Sequence, residues 1–255
     1  MTSIFDTPAN AEITEAFEQC AQRPSIVDAH FIALKNNLLD ITIVFSQRDL
    51  KRQTKRKFLV NTVRDSSGEL ISQSFPMDLG DAGLLTISPS GLYMAISRVI
   101  MDSKGKKPKR RFIEIWSRGG LEDSFEVTDH HGDFFCDDTF GGLAWSNDET
   151  RIAYVAEKNA PEEGLKRFEY REDWGERFTK KNNPVICILN LKLDRTILDS
   201  SNGEGGKDEI KVLDLGNLSC GQVQFVNRNL IIFTGGTIET FSFAKSKLTL
   251  CVGAW

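Results

Sequence analysis

The densest group of side chains that could do chemistry lies between Asp129 and Asp138. It combines imidazole, thiol and carboxylate groups, as Asp129, His130, His131, Asp133, Cys136, Asp137 and Asp138. These are ligand types that transition metals take in proteins. Their spacing, however, matches no known metal-binding motif. The alternative, which we favour, is a loop leading into a strand, whose acidic groups cap turns or pair with nearby basic residues.

Motifs for nucleophilic or phosphate chemistry are missing from the sequence. An α/β-type serine hydrolase needs a Gly-x-Ser-x-Gly elbow, and no two of the 20 glycines are four residues apart. The three histidines, His30, His130 and His131, limit the possible triads. Gly203-Glu204-Gly205-Gly206 lacks the flanking strand and helix of a phosphate-binding loop. We therefore expect no catalytic, cofactor-binding or metal-binding residue in this chain.

Two basic segments stand out in a chain with a net charge of −4 and a pI near 5.5. One contains Lys104, Lys106, Lys107, Lys109, Arg110 and Arg111, and the other runs from Gln47 to Lys57. Such runs occur in localisation signals and nucleic-acid patches. Neither has the interleaved aromatic residues that stack on bases. We therefore favour solvated hairpins for both, and we expect neither a nucleic-acid nor a membrane partner.

Residues 7–22 predict one helix ahead of the strands. Thr7 can cap it, Pro8 fits the first helical position, and Pro24 ends the segment, so we assign residues 1–24 to this element. One apolar stripe contains Ile13, Ala16, Phe17, Cys20 and Ala21. The simplest interpretation is a surface helix, and the alternative is a helix that docks its stripe on another element.

From about Leu38 onward the sequence predicts β structure. The segments are short, rich in β-branched and aromatic residues, and bounded by turn formers. They are Asp40–Ser46, Arg56–Val63, Leu84–Ser88, Leu92–Val99, Phe112–Trp116, Ser124–Thr128, Gly142–Trp145, Ile152–Glu157, Val185–Leu193, Val223–Val226 and Leu230–Thr234. Polar insertions are predicted at Met101–Lys109, Lys158–Asn183 and Asp199–Asp208.

One hairpin pattern repeats along the chain. A strand, a tight turn and a second strand occur around Ser88–Gly91 and again around Asn147–Thr150, with Asn227–Asn229 as a third turn. Repeated hairpins of this kind are typical of β-propeller blades. We predict an all-β fold in which residues 25–255 form an incomplete β-propeller of about four to five four-stranded antiparallel blades.

Cysteine usage and hydropathy indicate the compartment. The five cysteines are far apart and odd in number, which predicts reduced and mostly buried thiols. The N-terminus carries Asp6 early and does not resemble a signal peptide. Apolar runs such as Val185–Leu189 are far too short to cross a bilayer. We expect a cytoplasmic protein.

A series of motifs runs in order through the chain. They are Phe45–Leu50, Ser88–Gly91, Phe112–Trp116, His131–Gly132, Asp137–Gly141, Trp145–Ser146, Glu149–Thr150, Tyr154–Lys158, Glu172–Glu176 and Pro184–Cys187. This series resembles the N-terminal half of acylaminoacyl peptidase, a member of the prolyl oligopeptidase clan. The Asp-Asp-x-Phe-Gly run and Glu-Asp-Trp-Gly-Glu are its most specific elements, and the resemblance fades after about residue 225.

The resemblance implies a propeller of about seven blades over an α/β-hydrolase domain that removes N-acylated residues from blocked peptides. In such an enzyme the propeller restricts access, and members are cytosolic and often oligomeric. This chain ends at Trp255, before the expected hydrolase domain, so we expect it to lack the catalytic triad. We expect the missing hydrolase domain, N-acylated peptides and further copies of the polypeptide as partners.

The alternative function is a stand-alone propeller-like interaction module without catalysis. A metal-dependent enzyme built on Asp129–Asp138 is a distant third hypothesis. An unclosed propeller leaves unpaired strand edges and exposed apolar surface, so we expect poor solubility or obligate association.

Overall fold

The computed structural model describes residues 8–34, 37–101, 109–159, 178, 181–191, 210–213, 215–216, 218–237 and 249–254. The chain divides into two compact units, Met1–Asp81 and Ala82–Trp255. Helix α1 (Pro8–Ala21) precedes all the strands, with bounds close to those predicted from Thr7, Pro8 and Pro24. No helix within the described ranges is long and apolar enough to span a bilayer.

Within the part of the first unit that the structure describes, the strands form one antiparallel sheet. Its strands are β1 (Ser25–Ala33), β2 (Leu39–Asp49), β3 (Thr54–Arg64), β4 (Leu70–Gln73) and β5 (Met77–Asp78). They lie in the order β1-β2-β3-β4, and β5 also pairs with β3. Strand β1 lies before Leu38, where we did not predict β structure. A register shift between Ile26 and Asp28 breaks its alternation, so no period-two pattern marks it in the sequence.

The described residues of the second unit form three antiparallel sheets. The first has β6 (Ala82–Ile87), β7 (Tyr93–Ile100), β8 (Arg110–Ser117) and β9 (Gly120–Glu126). The second has β10 (Leu143–Trp145), β11 (Arg151–Glu157), β12 (Pro184–Asn190) and β13 (Ile210–Leu213). The third has β14 (Leu218–Asn227), β15 (Leu230–Thr237) and β16 (Thr249–Ala254). In each sheet consecutive strands are neighbours, and β10 packs against both β6 and β14.

This arrangement confirms the predicted fold class. Each sheet of the second unit is a meander, and the first strands of its successive sheets lie beside one another, as in the blades of a β-propeller. The chain is therefore all-β, with antiparallel propeller blades preceded by one α-helix. Four sheets lie within the described residues, which agrees with the predicted number of blades.

Two apolar cores hold the sheets of the second unit together. Strand β11 contributes side chains to both cores, because its side chains alternate between its two faces. Ile152, Tyr154 and Ala156 face a core shared with β7, β8 and β9, while Ala153 and Val155 face a core shared with β14 and β15. All five are fully buried. Burial on both faces explains why β11 and β12 appear in the sequence as nearly continuous apolar runs.

Several predictions about single elements need correction. Strand β16 pairs with β15 along a stretch that we left unassigned, and β13 was also missed. None of the four cysteines that the structure describes forms a disulfide, as predicted, but only Cys187 and Cys220 are buried, whereas Cys20 and Cys136 are exposed. Cys20 lies on helix α1, and Cys136 lies in the loop between β9 and β10.

Candidate functional site

The segment from Asp129 to Asp138 connects β9 to β10, and His131 anchors it. The His131 ring is buried, with Nδ1 2.7 Å from the Gly132 carbonyl oxygen and Nε2 3.0 Å from the Tyr154 hydroxyl. Because a carbonyl only accepts, Nδ1 carries the proton and Nε2 accepts from Tyr154. Burial lowers the pKa of His131 to about 4, so the ring is neutral near pH 7.

Asp133 joins this loop to the start of β8. Its carboxylate accepts from Lys109 Nζ at 3.0 Å and from Arg111 Nη2 at 2.7 Å. Desolvation acts to raise the pKa of Asp133, but the hydrogen bonds from Lys109 and Arg111 prevail and hold it below its ordinary value. The Asp133 backbone oxygen also accepts from the Glu157 amide at 2.8 Å. Asp133 is therefore an ionised structural link.

Asp137 and Gly141 explain the Asp-Asp-x-Phe-Gly motif. The Asp137 carboxylate accepts from the Thr139 and Phe140 amides at 2.8 and 2.9 Å, which closes a turn. A Cβ on Gly141 would lie 2.2 Å from the Asp137 carbonyl oxygen, so only glycine fits. Phe140 is buried in the second core. The motif therefore encodes a tight turn that leads into β10.

These contacts separate the residues that could have bound a metal. No three acidic, cysteine or histidine side chains converge on one point in the described part of the chain. His131 bonds to Tyr154, Asp133 pairs with basic residues, and Asp137 caps a turn. The contacts of Asp133 and Asp137 are those that the loop interpretation predicts, namely pairing with basic residues and capping of a turn. His131 is also a poor candidate for a general base, because both its nitrogens are occupied.

The described end of the first basic segment is exposed at Lys109 and Arg110, which agrees with the solvated hairpin that we favoured, and its cations also pair with carboxylates. Arg110 binds Glu126 across the paired strands β8 and β9, with Nε 2.9 Å from the carboxylate, and Arg111 binds Asp133. The hydrogen bond from Arg110 lowers the pKa of Glu126 to about 2. Lys104, Lys106 and Lys107, and also Gly203–Gly206, lie outside the described residues.

Two of the three repeated turns predicted from the sequence have the same geometry, whereas at Asn227–Asn229 the Asn229 amide donates to the Asn227 side chain. In one, the Gly91 amide donates to the Ser88 carbonyl at 2.9 Å, and in the other the Glu149 amide donates to Ser146 at 3.0 Å. Gly91 and Glu149 occupy the same position and both have positive φ, at 75° and 57°. Each turn joins the first strand of its sheet to the second.

Side chains link these turns from one sheet to the next. Glu149 accepts from the Ser90 amide at 2.6 Å, and Asp148 lies 3.3 Å from the Arg228 guanidinium. Arg151 Nη1 donates to the Arg228 carbonyl at 2.7 Å. We call this set, Ser90, Asp148, Glu149, Arg151 and Arg228, the turn seam. Sequence reasoning missed it, although polar residues recurring in equivalent turns were a usable signal.

The first strands of the second and third sheets approach unusually closely. A Cβ on Gly142 would lie 2.8 Å from the Val223 amide nitrogen, and one on Gly221 would lie 2.9 Å from Phe140 Cα. The Gln222 amide donates to the Phe140 carbonyl at 3.1 Å across this junction. The backbones of the two segments are therefore in direct contact at this junction.

The comparisons with known proteins agree with this architecture. A family model described as "Acylamino-acid-releasing enzyme, N-terminal domain" matches residues 6–169. The acylamino-acid-releasing enzyme of Homo sapiens is 28% identical over 182 residues, covering 58% of this chain and 25% of that protein. Its namesake from Arabidopsis thaliana is 27% identical over 172 residues, covering 57% and 22%.

A solved structure supports the fold over a longer range. The acylaminoacyl peptidase of Pyrococcus horikoshii matches 91% of this chain and 31% of its own, with a TM-score of 0.50 and 14% identity. The chain thus spans about a quarter of the length of the human and Arabidopsis enzymes. Since the family model covers more than half of the chain, including the Asp137–Gly141 turn, this chain belongs to the family of acylamino-acid-releasing enzyme N-terminal domains.

Proposed function

We propose that this chain is the substrate-gating propeller portion of an acylaminoacyl peptidase-like serine exopeptidase. In that enzyme an α/β-hydrolase domain would release N-acylated amino acids from blocked peptides. The observation that carries the proposal is the family match over residues 6–169 on a chain built of antiparallel propeller blades. The expected partners are the hydrolase domain, N-acylated peptides and further copies of the polypeptide, and the expected compartment is the cytoplasm.

The geometry of the second unit supports a gating role. Because Gly142 and Gly221 leave no room for side chains, the backbones of two neighbouring blades are in direct contact. The turn seam also joins three successive sheets at the turns between their first and second strands. Blades held in this way separate with difficulty, so they would set a fixed limit on the size of a peptide that passes.

The proposal assigns catalysis to the hydrolase domain and none to this chain. Pure chain should therefore not hydrolyse acetyl-alanyl p-nitroanilide, and it should not react with a serine-directed phosphonate. Turnover that the phosphonate blocks would refute this assignment. A sample that gives neither signal must still show a cooperative melt, so that inactivity is not mistaken for unfolding.

Transcript sequencing separates this proposal from a stand-alone interaction module. If the reading frame continues past Trp255 into a Gly-x-Ser-x-Gly region, the peptidase proposal holds. A confirmed stop codon, together with a protein of this length that is stable in cells, would instead support the module.

The gating role has its own test in a polypeptide that carries both parts. Arg151→Met and Glu149→Gln should loosen the turn seam, and so raise hydrolysis of long N-acetylated peptides relative to acetyl-alanyl p-nitroanilide. Lys211→Gln, at an exposed position outside the seam, is the matched control. An unchanged ratio in the seam variants would count against gating by the propeller.

A further inference from the structure

The second basic segment forms an exposed hairpin in the first unit. Strands β2 and β3 continue pairing to its tip, where Arg48 lies opposite Lys55 and Ser46 opposite Lys57. Arg48 and Lys55 are exposed, and Lys57 is half-buried. Because side chains two residues apart on a strand share a face, Arg48, Lys55 and Lys57 lie on one face of the hairpin. We call these three residues the basic face.

Carboxylates of the same unit form ion pairs with other basic residues. Asp49 lies 3.7 Å from the guanidinium of Arg52, and Asp78 pairs with Arg56. Within the described residues, no carboxylate forms an ion pair with the basic face. Directly opposed like charges such as Arg48 and Lys55 destabilise a β-sheet. The hairpin therefore keeps a concentration of positive charge that costs it stability, a pattern that suggests a ligand.

The basic hairpin contrasts in charge with the rest of the chain. Residues 47–57 hold six cationic side chains and one acidic one, a net charge of +5, whereas the chain as a whole carries −4. The remaining residues together therefore carry −9. A strongly basic hairpin on an otherwise acidic protein attracts anionic partners over several ångströms at physiological salt.

We propose that the basic face binds an extended acidic polypeptide segment. Side chains on one face of a strand recur about every 6.8 Å, twice the rise per residue. Lys55 and Lys57 have this spacing, so alternate carboxylates of an extended peptide can meet successive cations of the hairpin. Arg48 adds a planar guanidinium, which can bind a carboxylate with two hydrogen bonds.

The aromatic residues favour a peptide over nucleic acid. Single-stranded nucleic acids bind where cations are interleaved with aromatic rings on which bases stack. Residues 47–57 contain no aromatic residue. The nearest ones, Phe45 and Phe58, stack on each other with ring centroids 5.4 Å apart and lie on the opposite face.

The test is fluorescence anisotropy on the full chain at low ionic strength. The probe is a labelled peptide in which glutamate alternates with serine, and oligothymidylate of equal net charge is the comparison. The triple variant Arg48→Gln, Lys55→Gln, Lys57→Gln should weaken peptide binding about tenfold, the usual sum for three exposed ion pairs. It should melt no lower than wild type, because an opposed like-charge pair is removed.

A second triple variant controls for net charge. Arg23→Gln, Lys158→Gln, Lys211→Gln removes three exposed cations that lie off the hairpin, and should change the Kd much less. Equal losses in the two variants would show a non-specific charge effect and overturn the proposal. Unchanged binding by the first variant would also overturn it, as would oligothymidylate binding as tightly as the peptide. The outcome is independent of peptidase activity, so it does not depend on the proposed function.

Discussion

Gly91 and Glu149 adopt the same backbone conformation, although only Glu149 carries a side chain. Both have positive φ in equivalent turns, which glycine adopts freely and which costs a residue with a Cβ about 1 kcal/mol or more. Glu149 also makes a contact that glycine cannot make, since its carboxylate accepts from the Ser90 amide of the neighbouring sheet. The strain at Glu149 is therefore accompanied by a link in the turn seam.

Two substitutions at Glu149 should separate the strain from the link. Glu149→Ala keeps the strain and loses the hydrogen bond, so it should lower the free energy of unfolding by about 1 kcal/mol. Glu149→Gly loses the same bond but relieves the strain, and should be nearly neutral. Urea denaturation of both variants beside wild type measures this difference. Equal destabilisation by the two substitutions would contradict the account.

The buried His131 should make stability depend on pH. Its pKa is 6.5 when unfolded and about 4 when folded, chiefly because burial penalises the charged ring. Between these values the unfolded chain binds a proton that the folded chain does not. Stability contributed here is therefore present above pH 6.5 and is lost as the pH falls towards 4, by about 3 kcal/mol in all.

A variant without the titrating ring tests this dependence. His131→Gln can still accept from Tyr154 but does not titrate, so its stability should fall less than that of wild type between pH 6.5 and 4. Urea denaturation at several pH values in this window measures the difference. Asp133 does not affect stability in this pH window. Because its folded pKa lies below the ordinary value, its contribution to stability is lost only at pH values below that ordinary value. Parallel pH profiles for the two proteins would argue against His131 as the source.

Strand β14 depends on glycine where it meets the strand β10. It carries a register shift between Gly221 and Gln224, and Gln222 within it has a φ of 52°. The bulge directs the Gln222 amide to the Phe140 carbonyl and its side-chain Nε2 to the Asp138 carbonyl at 3.1 Å. Backbone strain in β14 is thus tied to contact between neighbouring blades.

Gly221→Ala should disrupt this contact. The new Cβ would lie 2.9 Å from both Phe140 Cα and the Thr139 carbonyl oxygen, which are backbone atoms that move little. We expect a loss of about 2 kcal/mol or more, read from a thermal or urea melt. Gly253→Ala is the matched control, because the nearest atoms to its new Cβ belong to side chains, at 3.5 and 3.7 Å. Similar losses at the two positions would contradict the close-approach argument.

The protein exposes much apolar surface on its first unit. Phe75 is 94% exposed, Ile13 of α1 67% and Phe31 of β1 65%. Single exposed apolar side chains are ordinary, but several within one small unit favour association. The apolar stripe of α1 remains uncovered by the described residues of its own unit, so the docking alternative for this helix stays a prediction.

The isolated chain should therefore self-associate. Light scattering should show species larger than a monomer, and the double variant Phe31→Ser, Phe75→Ser should shift the distribution towards monomer. Lys211→Ser, which changes an exposed polar residue in the second unit, should leave the distribution as in wild type. A monodisperse wild-type monomer with a cooperative melt would be the contrary result.

Short-range patterns in the amino-acid order were enough to predict the α-helix, most strands, the repeated turns and the family. Each depends on neighbours in the chain: Pro8 and Pro24 bound the helix, and Ser88–Gly91 needs only its own residues to turn. The same reasoning missed β1, where a bulge breaks the alternation. It also could not predict the contacts of the candidate metal ligands between Asp129 and Asp138.

Contacts between distant segments decided the rest. Only folding brings Tyr154 to His131, Arg111 to Asp133 and Glu149 to Ser90, and these meetings turn candidate ligands into structural links. Strand register likewise opposes Arg48 to Lys55, which residue spacing alone does not show. The physical reason is that ionisation and pairing depend on burial and on partners many residues away, whereas turns and strands depend on local geometry.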